Sequence, residues 1–237
     1  MTGMPSITTT SPDSSLAFVL DFLAKNNGVD DAAIWSLLDK VDRAKLAQLL
    51  TDVDAVDATT YDKTVNVGMT SKTFETIKSG KKGKLFEEIA ATLLSGVTCF
   101  GTRKDIPTAT NQLDVLVTLG PSSAVVPAFR EWGTHFICEC KFHDKGVSVE
   151  WVQKLESLLG THGAKVGLLI SKKPITKGGR GNIAHKLQLF AMKGAYILCL
   201  SREDLDKCAA GEGIIQILVD RYISIQMGIA FFIKPSA

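Results

Sequence analysis

Four short apolar runs, separated by segments with helical spacing, constrain the fold of this chain most strongly. The runs lie at 112–119, 134–142, 165–171 and 195–200. Helical patterns cover about 82–95, about 148–160 and part of 172–193. Strands that alternate with helices in this way are typical of α/β proteins. We therefore predict a mixed β-sheet flanked by helices from residue 81 onward, and residues 213–233 fit either a helix or a strand.

The first 58 residues differ in composition from the rest. They contain nine Asp, no Glu and four Lys or Arg. Apolar residues at helical spacing predict helices at about 16–23, 30–41 and 44–53. We predict a small acidic helical domain over 1–58, a linker over 59–80 and the main domain over 81–237. The acidic unit would dock a partner protein or mediate dimerisation, or it is a helical extension packed on the main domain.

The overall composition is that of a globular protein, with 45% hydrophobic and 22% charged residues in 237. No apolar run approaches the roughly 20 residues that span a bilayer, and no signal peptide is visible at the N-terminus. The five cysteines are odd in number and have apolar neighbours, which predicts reduced thiols and a cytoplasmic protein. No membrane contact is expected, because the apolar runs are too short to span a bilayer. No second pair complements the Cys-x-Cys sequence, so a structural zinc site is not expected.

The strand-like run His135–Phe142, HFICECKF, places an acid and a base inside apolar sequence. Because side chains alternate along a strand, Glu139 and Lys141 share one face, and Phe136 and Cys138 share the other. A charge buried without a partner costs several kcal/mol, on the order of the desolvation penalty of an ion. The two residues therefore form either a surface-facing ion pair or part of a functional site.

Two further acids lie near this strand in the predicted fold. Asp114 is the lone acid of the run QLDVLVTL, and pairing of the two strands would bring Asp114 and Glu139 within reach of one cation. Mg²⁺ takes carboxylate oxygens as ligands and keeps several waters. Glu87 lies at the margin of the core-facing side of the helix at 82–95, where it can reach the sheet edge or act as an ordinary boundary residue. Lys141 would supply positive charge near a reacting phosphate and position, or help to deprotonate, a water.

An acid followed 25 positions later by acid-x-Lys on the next strand resembles the pattern of the PD-(D/E)xK nucleases, and the chain is most similar to their Mrr-like restriction endonuclease branch. The matching segments are Gly83-Lys84-Leu85-Phe86-Glu87, Asp114, Glu139-Cys140-Lys141 and GAKVGLLIS at 163–171. The resemblance covers about 81–205. One departure is Leu113, which stands where the family pattern has Pro.

The resemblance implies a restriction-endonuclease-like fold and a Mg²⁺-dependent DNA endonuclease of restriction or phage defence, in which Mn²⁺ can replace Mg²⁺. It implies that Asp114, Glu139 and the Cys140 carbonyl ligate the metal. Glu87 would complete the shell directly or through water, and Lys141 would orient the attacking water.

A helix residue and a basic segment complete the prediction. Gln153 matches a position where such nucleases carry a polar helper, or it is an exposed helix residue. Residues 165–193 contain seven Lys or Arg and no acid, a pattern that suits a polyanion. The predicted DNA-phosphate ligands are Lys82, Lys84, Lys172, Lys173, Lys177 and Arg180.

Two other functions remain open at this point. One is a nucleic-acid-binding module of the same fold that is catalytically silent or cuts with a partner protein. The other is an RNA-directed nuclease. A homodimer would supply the two active sites that cutting both strands of a DNA duplex usually takes.

Overall fold

The chain folds around a five-stranded mixed sheet with helices on its faces. The structure is a computed structural model that describes residues 31–108, 112–142, 146–175 and 183–228. The strands are β1 (Phe100–Pro107), β2 (Gln112–Leu119), β3 (His135–Lys141), β4 (Val166–Ser171) and β5 (Tyr196–Ser201). The helices are α1 (Asp31–Leu38), α2 (Arg43–Ala58), α3 (Ser71–Ser95), α4 (Pro127–Trp132), α5 (Val149–His162), α6 (Ile183–Ala191), α7 (Arg202–Ala210) and α8 (Ile214–Gln226). The predicted α/β class, with a mixed sheet flanked by helices, is confirmed.

The strands lie side by side in chain order. β1, β2 and β3 pair antiparallel, whereas β3, β4 and β5 pair parallel. The change of direction follows from the connections, because a parallel pair needs a crossover, and α5 and α6 provide the two crossovers. In the parallel part, Glu139 lies beside Leu169 and Lys141 beside Ser171.

The two faces of the sheet bury different side chains. On one face α4 and α8 contribute to an aromatic cluster, in which the Trp132 ring centroid lies 5.4 Å from that of Phe136 and 5.7 Å from that of Tyr222. On the other face α5 and α6 cover an aliphatic core that includes Ile137 and Leu169. Successive residues of β3 therefore point to opposite sides, as the alternation predicted.

Helix α5 is fixed closely against the sheet. The Ser148 hydroxyl accepts a hydrogen bond from the Trp151 N–H at 3.4 Å and caps the first turn. Gly163 ends the helix at φ +65°, a left-handed conformation that glycine adopts without strain. A Cβ added to Gly167 on β4 would lie 3.0 Å from the Leu155 side chain. This close approach holds α5 beside the face that carries Glu139.

The structure divides the chain at a different place from the predicted one. Trp35–Ala237 form one compact unit, and residues 71–80, predicted as linker, are the first turns of α3. Helix α2 packs on α3 and buries Leu46, Leu50 and Val53. Because these apolar side chains need a covering layer, α2 belongs to the same unit as the sheet rather than to a separate acidic domain ending at 58. The helix predicted at 16–23 lies outside the described residues.

β1, α4 and α7 were not predicted from the sequence. β1 is an edge strand with mostly exposed side chains, so its apolar alternation is weak. α7 is polar, and its capping box joins Ser201 and Asp204. The ambiguous segment at 213–233 forms helix α8 within its described part. In the described ranges we find no helix long and apolar enough to cross a membrane.

Candidate active site

The predicted acids Asp114 and Glu139 lie next to each other on two antiparallel strands. The ladder between β2 and β3 ends with Val115 beside Cys138, and the two acids are the next residues on their strands. The Asp114 Oδ2 accepts a hydrogen bond of 2.8 Å from the Cys140 backbone N–H. This bond fixes the Asp114 carboxylate beside β3, so the two strands bring both acids to one place.

Glu139 is a buried carboxylate whose side chain is 3% exposed. Its Oε2 accepts hydrogen bonds from the Lys141 Nζ at 3.0 Å and from the Lys154 Nζ at 3.3 Å. Its Oε1 is buried and has no hydrogen-bond partner among the described residues. Leaving a buried acceptor unsatisfied costs about 1–3 kcal/mol, and more for a charged group. A ligand that reaches Oε1 would therefore stabilise this arrangement.

Lys141 lies between the two acids. Its Nζ is 3.0 Å from the Glu139 Oε2 and 4.0 Å from the Asp114 Oδ2. Burial lowers the pKa of Lys141, but the two carboxylates outweigh burial and raise that pKa above its ordinary value. The ammonium group thus stays charged at neutral pH. The predicted alternative of a surface-facing ion pair does not describe this contact, because Glu139 is buried.

Glu87 on α3 interacts electrostatically with the same group. Burial raises the pKa of Glu87, and the carboxylates of Asp114 and Asp105 raise it further. Burial likewise raises the pKa of Asp114, with a further contribution from Glu139. A carboxylate that raises the pKa of a neighbouring acid repels that acid in its ionised state, and a cation relieves such repulsion. Glu87, Asp114 and Glu139 therefore form a group suited to positive charge.

The next residue on the helix, Glu88, has a different environment. Its carboxylate pairs with Lys45 on α2 at 3.0 Å and with Lys104 on β1. Hydrogen bonds from Lys104 and Lys45 lower the pKa of Glu88. Glu88 is a partly exposed ion-pair partner outside the acidic group.

Asp105 on β1 is an acid near this group that the sequence analysis did not identify. The flanking pairs of the β1–β2 ladder place Asp105 across from Asp114. Its φ of +50° is in the left-handed region, which Asp tolerates better than most residues. Asp105 could not be identified from the sequence, because β1 itself was not predicted.

On α5, Lys154 rather than Gln153 contacts the site. Gln153 is exposed and, among the described residues, makes no hydrogen bond to the carboxylates. Lys154 is bonded to Glu139, and its side chain is 51% exposed. Successive residues of a helix are rotated by about 100° around its axis, so the side chains of Gln153 and Lys154 point in different directions. Lys154 precedes the buried Leu155 and therefore lies at the margin of the apolar face of α5. That position was the feature of the sequence that could have indicated Lys154.

The Cys140 side chain lies on the opposite face of β3 from the acids. A hydrogen bond with Cys138, followed by burial, raises the pKa of the Cys140 thiol well above its ordinary value. The thiol therefore stays protonated and is unsuited to metal ligation. The role that the resemblance implies for Cys140 concerns its backbone carbonyl, and the side chain adds nothing to it.

The donor types of this group fit a hard divalent cation. Mg²⁺ prefers carboxylate oxygens and keeps part of its water shell, and the Glu139 Oε1 is a buried carboxylate oxygen in need of a partner. Asp114 supplies a second carboxylate at the same place. In the ranges that the structure describes, no three His, Cys, Asp or Glu side chains form a ready metal cage. Metal binding would compete with the lysine contacts of Glu139.

Two of the predicted DNA ligands have an intramolecular partner. The Lys82 Nζ is 2.7 Å from the Asp57 Oδ1, and the Lys172 Nζ bonds the Asp57 Oδ2. Both ammonium groups also lie over the Phe142 ring, at 5.2 and 4.9 Å from its centroid. In this structure the two lysines are therefore bound to helix α2 rather than presented separately to solvent.

The other four predicted DNA ligands comprise two exposed lysines and two residues that lie outside the described ranges. Lys84 and Lys173 are exposed, which agrees with contacts to a large charged partner. Lys177 and Arg180 lie outside the described residues. Of the six predicted DNA ligands, the structure therefore describes four, namely Lys82, Lys84, Lys172 and Lys173.

Comparison of this chain with known proteins identifies no relative. No protein-family model matches it, and no curated protein or solved structure gives a match. The resemblance to the PD-(D/E)xK nucleases therefore rests on the motif residues themselves.

Proposed function

We propose that the chain is a Mg²⁺-dependent endonuclease that hydrolyses DNA phosphodiester bonds, with a restriction-endonuclease-like fold similar to the Mrr-like branch of the PD-(D/E)xK nucleases. One observation carries the proposal. The Glu139 carboxylate is buried with Oε1 unpartnered among the described residues, beside a second acid and a charged lysine. An isolated structural ion pair would not need the second acid or the unsatisfied oxygen.

Asp114 and Glu139 are the residues that would hold the metal. Glu87 would contribute directly or through a water, and the Cys140 backbone carbonyl is a further candidate donor. A bound divalent cation stabilises negative charge on the phosphate and lowers the pKa of its water. Mn²⁺ is expected to substitute, because it accepts the same oxygen donors.

Lys141 acts as a positioning cation in this proposal. Glu139 and Asp114 raise its pKa, so Lys141 is an ammonium group at neutral pH in the metal-free site. It would donate hydrogen bonds to the attacking water or to a phosphate oxygen. This is the orienting one of the two roles predicted for Lys141.

The test of this proposal compares neighbouring carboxylates. Purified wild type, Asp114→Asn and Glu88→Gln would be incubated with linear duplex DNA in Mg²⁺, in Mn²⁺ and in EDTA. We expect metal-dependent cleavage by wild type, a loss of roughly 100-fold or more in Asp114→Asn, and near wild-type cleavage in Glu88→Gln. Equal loss in both variants, with folding intact, would contradict the assignment.

A second function has a specific observation in its favour. Lys141 and Lys154 already neutralise the Glu139 carboxylate, as they would in a nucleic-acid-binding module that does not cut or that cuts with a partner. Such a module would bind duplex DNA in EDTA and show no cleavage with any divalent metal. The same incubations therefore separate the two functions, and a parallel set with RNA separates DNA from RNA as substrate.

A further inference from the structure

Lys82, Lys172, Asp57 and Phe142 form a charged cluster next to the candidate active site. The cluster joins four separate parts of the chain: Asp57 is in the last turn of α2, Lys82 is on α3, Phe142 follows β3, and Lys172 follows β4. It adjoins the site because Phe142 follows Lys141 directly, and the Lys172 N–H bonds the Lys141 carbonyl at 3.3 Å.

The two lysines converge on one point with little access to solvent. The side chains of Lys82 and Lys172 are 13% and 20% exposed, and one carboxylate bridges their ammonium groups. Two like charges held together repel unless an anion lies between them. The Phe142 ring contributes a cation–π contact to each, but it carries no net charge. The pair therefore requires a bound anion.

Asp57 is an unusual source of this anion. It lies at the C-terminal end of α2, where the helix macrodipole disfavours negative charge. Burial raises the pKa of Asp57, but hydrogen bonds from Lys172 and Lys82 outweigh it and lower that pKa to about 2. The lysines, rather than the helix, hold the charge in place.

A phosphodiester has the same features as this carboxylate. It carries one negative charge, and its two non-bridging oxygens can each accept from one ammonium group, as the two Asp57 oxygens do. We propose that Lys82, Lys172 and the Phe142 ring form a subsite for a DNA backbone phosphate near the cleaved bond, and that Asp57 fills this subsite in the free protein. The DNA part of this inference rests on the proposed function.

Displacement of Asp57 need not release α2. Asp54, one turn earlier, pairs with both terminal nitrogens of Arg202 at 2.6 and 2.8 Å, and α2 buries Leu50 and Val53 against its neighbours. The helix is thus held by contacts that do not involve the subsite. Asp54 also provides a matched control, because it is an ion-paired Asp on the same helix.

The test measures binding of a short mixed-sequence DNA duplex by fluorescence anisotropy in EDTA, for wild type, Asp57→Asn and Asp54→Asn. We expect Asp57→Asn to bind at least about threefold more tightly, with a salt dependence steeper by about one phosphate contact. Asp54→Asn should bind as wild type does. Adding Lys172→Gln to Asp57→Asn should remove the gain.

Affinity of Asp57→Asn equal to or weaker than that of wild type would overturn the proposal. Circular dichroism would verify folding, and Asp57→Ser offers a second substitution if Asp57→Asn unfolds. Because binding is measured without metal, failure here is distinct from failure of the nuclease proposal. A gain in affinity without any cleavage would retain the subsite and reject the nuclease, and cleavage without the gain would reject the subsite.

Discussion

At the scale of single residues, the site is defined by how burial and charge act on each carboxylate. Burial raises the pKa values of Glu87 and Asp114. A raised carboxylate pKa means that protonation begins at a higher pH than usual as the solution is acidified. The carboxylates must be ionised to bind a divalent cation. As the pH falls, metal binding should therefore weaken at a higher pH than it would at solvent-exposed carboxylates.

We predict that the affinity of the free protein for Mn²⁺, measured by calorimetry from about pH 4 to pH 8, falls on acidification with a midpoint above the usual Glu value of about 4.3. Glu87→Gln should weaken binding and reduce the pH dependence. Glu88→Gln should leave both unchanged, because Lys104 and Lys45 lower the pKa of Glu88. A midpoint at or below the usual Glu value would contradict the role of Glu87 and Asp114.

The sequence was least sufficient for predicting which individual residues contact the site. The positions of Asp114, Glu139 and Lys141 follow from the period of two along a strand, which the structure retains. Gln153 was named from the family resemblance, and Lys154 was missed because the rotation of α5 depends on how Leu155 packs at Gly167. That packing is a tertiary property, and a helical pattern determines a face to within about one residue.

Among the helices and strands, the C-terminal end of α3 packs closely against the segment that precedes α2, and this contact supports the candidate site. Gly96 ends α3, and its carbonyl accepts a hydrogen bond from the Lys40 N–H at 2.7 Å. A Cβ added to Gly96 would lie 2.4 Å from the Val41 Cα. Backbone at both places would have to move. This contact helps to hold α2 beside α3, and α2 carries Asp57.

We predict that Gly96→Ala destabilises the protein by roughly 1–3 kcal/mol or more, because overpacking against backbone cannot be relieved by a rotamer change. Gly80→Ala provides the control. Gly80 lies within α3 with nothing within 4 Å of an added Cβ, so alanine should stabilise the helix by about 1 kcal/mol. Urea unfolding would measure the free energy of unfolding of both variants. Equal stability of the two variants would contradict the prediction.

The elements also show what hydrophobic pattern predicts and what it misses. β2, β3, β4 and β5 are apolar runs, and their predicted bounds differ from the observed ones by at most one residue at either end. β1 was missed because an edge strand with exposed side chains lacks that pattern. The N-terminal boundary was misplaced because α2 is acidic, and composition does not reveal that its apolar side packs on α3.

At the scale of the whole molecule, packing brings opposite charges together from distant parts of the chain. The first 58 residues are rich in Asp, and residues 165–193 are rich in Lys and Arg. Within the compact unit, Asp57 meets Lys82 and Lys172, and Asp54 meets Arg202. The basic surface predicted for DNA is thus partly neutralised by α2 beside the candidate active site. Net charge, which is +2, conveys none of this arrangement.

We propose that Lys141, Glu139 and Asp114 form a metal-dependent nuclease site, and nicking of supercoiled plasmid would test this proposal. Wild type and Lys141→Ala would be compared in Mg²⁺ and in EDTA, with circular dichroism to verify folding. We predict nicking by wild type in Mg²⁺, none in EDTA, and a loss of about 100-fold or more in Lys141→Ala. Nicking that survives Lys141→Ala at the wild-type rate would show that the active site lies elsewhere, and no nicking by wild type with any divalent metal would contradict the nuclease itself.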